Sequence, residues 1–178
     1  MKNKTQKIIL DYKKLSKIIK AHKTLNQRIV CTIGSWDMLH IGHVRYLSSA
    51  KDHGDILIVG VDSDRAIKLY KKNPLRPIIP QGERMEMLSY QSFVDYISLI
   101  DDVDKSGHWQ MNLIKAIKPD VFVTSLGEAY PTEQRKQIAK FCNHLKVLKR
   151  QAKKTSTTKI IEKTVKQRLE HLLKNFKP

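Results

Sequence analysis

Two histidines three residues apart, His40 and His43, close the segment Gly34-Ser35-Trp36-Asp37-Met38-Leu39-His40-Ile41-Gly42-His43, which follows an aliphatic run. A spacing of three puts both imidazoles on one face of a helix's first turn. At a helix N-terminus the free N–H groups and the positive dipole end attract anions. Two imidazoles there can also donate hydrogen bonds to phosphoryl oxygens and to charge that builds in a transition state. Gly34 lets the chain turn sharply and approach a phosphate, and Gly42 is expected to leave room for a nucleotide. The chemistry this segment favours is therefore chemistry at phosphate.

A second segment, Thr155-Ser156-Thr157-Thr158-Lys159-Ile160, precedes a helical run. Ser and Thr are natural N-caps, so their hydroxyls and the helix's free N–H groups converge on one point.

The elements that must position these segments read as one α/β unit. Short aliphatic runs at 28–33, 56–61, 94–99, 121–124 and 145–148 predict strands. Apolar residues at three-to-four spacing predict helices at 41–52, 64–70, 83–91, 109–117 and 132–142. This alternation predicts a single doubly wound, Rossmann-like sheet of five parallel strands. Ligands of such sheets bind beyond the carboxyl ends of the strands, here the loops after Ile33, Val61 and Val123. Residues 71–80, with three prolines, read as a loop. Tyr12, Leu15, Ile18 and Ile19 mark an amphipathic N-terminal helix. Ile161, Val165, Leu169, Leu172, Leu173 and Phe176 mark a C-terminal one, expected to pack on the domain. The division expected is an extension over 1–27, the α/β domain over 28–160 and the last helix over 161–178.

At 178 residues the chain suits one domain, and no apolar run approaches the roughly 20 residues of a membrane span. No membrane partner is expected, and without a secretory signal pattern the cytoplasm is the expected location. Cys31 and Cys142 stand far apart and read as buried thiols. The net charge of +17 is peripheral: residues 1–30 carry +8 and residues 145–178 carry +9, while the middle is neutral. A basic excess outside the chemical segments, with few aromatics among the lysines, argues against a nucleic-acid partner.

The first segment resembles the HIGH-type signature of the nucleotidyltransferase superfamily, and the second resembles the other signature of its cytidylyltransferase-like branch. His43-Val44-Arg45-Tyr46-Leu47, Asp62-Ser63-Asp64, Arg76-Pro77-Ile78-Ile79-Pro80 and Glu83-Arg84 look most like the heptose 1-phosphate adenylyltransferases, and residues 7–27 resemble the helix before their first strand. The resemblance implies that a phosphate monoester attacks the α-phosphorus of a nucleoside triphosphate, ATP or CTP, and releases pyrophosphate. His40 and His43 would stabilise the transition state. Gly34, Ser35, Trp36, Asp37 and Gly42 would border the nucleotide, with Ser156, Thr157, Thr158 and Lys159 on the leaving pyrophosphate. Lys72, Arg84 and Arg150 would neutralise phosphates, Arg76 would meet the acceptor, and Asp64 would either bond an acceptor hydroxyl or cap a helix. Magnesium is expected on the triphosphate, with Asp37 the nearest carboxylate and a turn cap its other role. A homodimer is the expected assembly.

The chain also departs from the heptose pattern. Where those enzymes carry Lys-Gly-Gly-Asp-Tyr, it reads Thr124-Ser125-Leu126-Gly127-Glu128-Ala129-Tyr130. Lys149-Arg150 looks more like the glycerol 3-phosphate cytidylyltransferases, and PIIP with its following arginine is shared with archaeal-type FAD synthases. A non-catalytic nucleotide-binding module is the rival that the altered loop suggests. An RNA-binding relative of the class I aminoacyl-tRNA synthetases is a further rival, but the chain lacks a KMSKS-like stretch.

Overall fold

The strand leading into the histidines, β1 (Ile29–Gly34), alternates between two hydrophobic clusters: Ile29, Cys31 and Ile33 join one and Val30 the other. Burial on both faces explains why it carries no charged residue and places it mid-sheet. The computed structural model describes residues 4–71, 73, 75–126, 131–152 and 154–175. Around β1 it arranges β2 (Ile56–Asp62), β3 (Tyr96–Ile100), β4 (Val121–Ser125) and β5 (His144–Leu148) in the order β3-β2-β1-β4-β5. Every pairing is parallel, as the alternation of elements predicts. The switch point lies between β1 and β4, which stay in register only at Val30–Val121 and Cys31–Phe122. Beyond those pairs the two strands part, and a crevice opens at their carboxyl ends.

Helices cover both faces. α1 (Tyr12–Thr24) starts at Asp11, whose carboxylate accepts from Lys13 N–H, and buries Leu15 and Ile19. It packs on α5 (Asn112–Ile117), with Ser16 donating to the main-chain oxygen of Ala116 at 2.8 Å. The other face carries Leu47 and Ala50 of α2 (Ile41–Lys51) and Met85 and Leu88 of α4 (Gln81–Ser89). α3 (Asp64–Lys71), α6 (Thr132–Ala139) and α7 (Thr157–Asn175) complete the chain.

Several outcomes differ from the sequence reading: Cys142 is half-buried where a buried thiol is expected, and α6 ends at Ala139, short of the predicted 142. α5 begins three residues later than the predicted helix, because Asp102 accepts from Trp109 Nε1 and from Asn112 N–H and holds 102–111 as a loop. The C-terminal stripe is not covered by the domain: Val165, Leu169, Leu172 and Leu173 are all exposed, and Thr157 is the buried residue of α7. Phe176, the last residue of that stripe, lies outside the described residues.

Candidate active site

β1 ends at Gly34, where an added Cβ would sit 3.3 Å from the indole of Trp36. Trp36 takes a left-handed φ of 50° and donates from Nε1 to the main-chain oxygen of Gly60, which ties the loop after β1 to β2. The loop then delivers His40 as the N-cap of α2. Its Nδ1 accepts from Gly42 N–H at 3.1 Å, so that nitrogen is unprotonated and Nε2 carries the hydrogen. His43 stacks on it with ring centroids 3.9 Å apart and meets the edge of Trp36 at 5.5 Å. An added Cβ on Gly42 would fall 2.9 Å from the His40 ring and 3.1 Å from Ala152. The glycine makes room for the imidazole and for the chain before α7, and it also lines the cleft between them.

Both histidines are held neutral. Burial, and then the neighbouring His40 ring, push His43 down to about 4, with Arg76 acting the same way against an opposing pull from Asp37. Burial and then the charge of Arg150 lower His40. Buried without a hydrogen-bond partner among the described residues are His43 Nδ1 and Thr124 Oγ1, and both residues line the crevice. The Tyr46 hydroxyl donates to the main-chain oxygen of Val123 at 3.0 Å and lies 2.8 Å from Thr32 Oγ1, bridging the parted strands.

The crevice is a cleft of about 880 Å³. Gly34, Ser35, Trp36, His40, Gly42 and His43 line one side of it. Arg76, Arg150, Ser156, Thr157 and Thr158 line it as well, so the two signatures converge as the sequence implies. Ser156 Oγ accepts from Lys159 N–H at 3.3 Å, the capping contact that Ser and Thr residues at this position lead one to expect.

Four expected site residues do not line the cleft. Asp37 is fully buried and is not on the cleft wall. Its carboxylate accepts from Arg76 Nε at 2.7 Å and from the N–H groups of Ile78 and Ile79, leaving neither oxygen free for magnesium. Arg84, 1% exposed, is also off the wall. It donates to the main-chain oxygens of Ile79, Asp62 and Ser35 and to Asp64 Oδ1, so it braces three loops. Asp64 is consequently the partner of Arg84, and the cap of α3 is Ser63, whose Oγ accepts from Ala66 N–H. Lys159 is exposed on α7 and does not line the cleft. Lys72, Gly127 and Glu128 lie outside the described residues.

Sequence reasoning missed Asp62, Tyr70 and Tyr46 on the cleft wall. The Tyr70 hydroxyl donates to Asp62 Oδ2 at 2.7 Å, and burial pushes Asp62 up to about 6 against the pull of that bond. The signal was the triplet Asp62-Ser63-Asp64, of which the first acid, rather than the third, faces the cleft.

The geometry is thus a helix-start histidine pair facing a second, hydroxyl-rich helix start across the switch point of a parallel sheet. The profile of the cytidylyltransferase-like family matches residues 31–163, which takes in both signatures and every strand but the first residues of β1. The chain belongs to the cytidylyltransferase-like family. Among curated members, the bifunctional protein HldE of Nitratiruptor sp. is 40% identical over 119 residues, 67% of this chain and 24% of that protein. HldE of Helicobacter pylori is 40% identical over 121 residues, 68% of this chain and 24% of that protein. The chain spans about a quarter of the length of these relatives. A lipopolysaccharide core biosynthesis protein from Thermoplasma volcanium superposes with a TM-score of 0.55 at 26% identity, over 69% of this chain and 95% of that one. Pantoate-beta-alanine ligase from Francisella tularensis, at 14% identity and a TM-score of 0.56, shares the fold.

Within this nucleotidyltransferase fold, no group of three or more His, Cys, Asp or Glu side chains among the described residues is placed to hold a metal ion. Asp62 is the acid on the cleft wall, and it is engaged by Tyr70. The donor set does not form a protein cage for magnesium.

Proposed function

We propose that this chain transfers AMP from ATP to a sugar 1-phosphate, with release of pyrophosphate, in the manner of a heptose 1-phosphate adenylyltransferase. The observation that carries the reading is the neutral, stacked His40–His43 pair facing the N-terminus of α7 across one cleft. An oxygen of the acceptor's phosphate forms a bond to the α-phosphorus as the bond from that phosphorus to the β-bridging oxygen breaks. A phosphate monoester at neutral pH already carries the attacking lone pair, so no general base is required. The site's task is alignment and stabilisation of charge. Neutral imidazoles suit it, because Nε2–H of His40 donates without the cost of burying a cation. Ser156, Thr158 and the N–H groups of α7 receive the departing pyrophosphate, with Arg150 beside them.

Magnesium enters this reading with the triphosphate, which supplies most of its ligands along with water. The cytoplasmic location and the homodimer belong to the same proposal. Support for adenine and a heptose-type acceptor comes from the breadth of the resemblance to the heptose 1-phosphate adenylyltransferases, and the HldE relatives and the lipopolysaccharide core biosynthesis protein agree with it.

One observation favours a second reading, a CTP-dependent polyol-phosphate cytidylyltransferase: Lys149 and Arg150 both line the cleft. Melting the protein with saturating magnesium-ATP and magnesium-CTP separates the two, since tighter binding to the native state raises the melting temperature further. A larger rise with ATP is expected. A larger rise with CTP transfers the proposal to the cytidylyltransferase.

A further inference from the structure

α7 leaves the cleft at Thr157 and continues for 19 residues to Asn175. Val165 is 52% exposed, Leu169 54%, Leu172 36% and Leu173 74%. Spaced by three and four, they form one aliphatic stripe along the helix. The remainder of α7 carries Lys159, Lys163, Lys166, Arg168 and Lys174 against Glu162 and Glu170. The stripe is therefore an apolar face on a basic helix, and nothing among the described residues covers it.

The chemistry of that surface selects its occupant. Nucleic acid would take up the positive charge and leave the leucines in water. A second copy would cover the leucines, but it would bring one net-positive helix against another. A single helical stripe also offers only a fraction of the roughly 800 Å² per partner that a stable interface buries. An anionic lipid surface satisfies both halves: aliphatic side chains enter the acyl boundary while lysines and arginine meet the headgroups. The charge distribution along the chain agrees, because residues 145–178 hold +9 of the net +17. We propose that α7 is an interfacial helix that docks this chain on an anionic lipid surface. Val165 follows Thr157 by eight residues, about 12 Å of helix, so docking would hold the cleft close to that surface. The inference is independent of the nucleotide and acceptor assigned above.

The test uses the full chain and extruded vesicles, either phosphatidylcholine alone or phosphatidylcholine mixed with phosphatidylglycerol, read by co-sedimentation. Binding to the anionic vesicles is expected to be about tenfold tighter or more, and to weaken as salt is raised. The double substitution L169Q/L172Q should abolish it while leaving circular dichroism and melting temperature unchanged. Should that variant misfold, K163Q/K166Q provides the second arm, with weaker binding to anionic vesicles expected. Three outcomes overturn the proposal. Both vesicle types are bound equally or not at all. L169Q/L172Q, though folded, binds like the parent. In the absence of lipid, sedimentation velocity shows self-association that L169Q/L172Q removes, which assigns the stripe to a second copy.

Discussion

The Thr157 hydroxyl donates to the main-chain oxygen of Asp37 at 2.8 Å, across 120 positions of sequence. The Asp37 carboxylate in turn accepts from Arg76, Ile78 and Ile79. One buried residue of the first signature therefore holds both the start of α7 and the proline-rich loop. Thr157→Val keeps the side chain's shape and strands the Asp37 carbonyl, so a loss of about 1–3 kcal/mol is expected in denaturant unfolding. Asp37→Asn should cost more, about 3–5 kcal/mol, since Arg76 is left nearly buried without its countercharge. An Asp37→Asn protein with parental stability and no activity would return Asp37 to the role of a ligand contact.

Arg84 is expected to behave as a brace. Replacing it with Met leaves the oxygens of Ser35, Asp62 and Ile79 without their donor, and the melting temperature should fall steeply along with activity. A variant that melts like the parent and only raises the KM of a phosphate substrate would show that Arg84 touches substrate instead.

His43→Asn should lower kcat by about 100- to 1000-fold, the effect of losing one preorganised donor to a transition state, with little change in the KM for ATP. The protein should still melt cooperatively. A parental kcat removes His43 from the mechanism.

His43 also gives the fold a pH dependence of definite sign. Its pKa is pushed down to about 4 in the folded chain from 6.5. The unfolded chain therefore takes up the proton first as pH falls. The stability tied to the neutral ring is complete above about 6.5 and is lost progressively down to about 4, by up to roughly 3 kcal/mol. Urea unfolding of the parent and of His43→Asn at pH 7 and pH 4.5 should show the parent losing more stability. Equal losses would mean that His43 titrates like a free imidazole.

The sheet was legible because β1, β2 and β4 are buried on both faces and so read as largely apolar runs with no charged residue before Asp62 at the end of β2. Both signatures were legible because their chemistry is local: a strand end, a glycine, a helix start. The partners of charged residues were not. Nothing local distinguishes Arg84, which folds inward onto three carbonyls, from Arg76, which reaches the cleft wall. For Asp62 and Asp64 the two-residue offset decides the matter, since the end of β2 faces the cleft while the first residue of α3 turns to Arg84. The stripe on α7 has the periodicity of a packed face, and periodicity carries no information about what lies opposite.

Nucleotidyl transfer at the cleft built by the two signatures is decided by the identity of the product. The purified chain is incubated with magnesium-ATP and heptose 1-phosphate, and products are read by mass spectrometry together with pyrophosphate release. ADP-heptose and pyrophosphate are expected in equal amounts, formed far more slowly by His43→Asn. Absence of any nucleotide-linked product with ATP or CTP, across heptose and glycerol phosphates, would contradict nucleotidyl transfer.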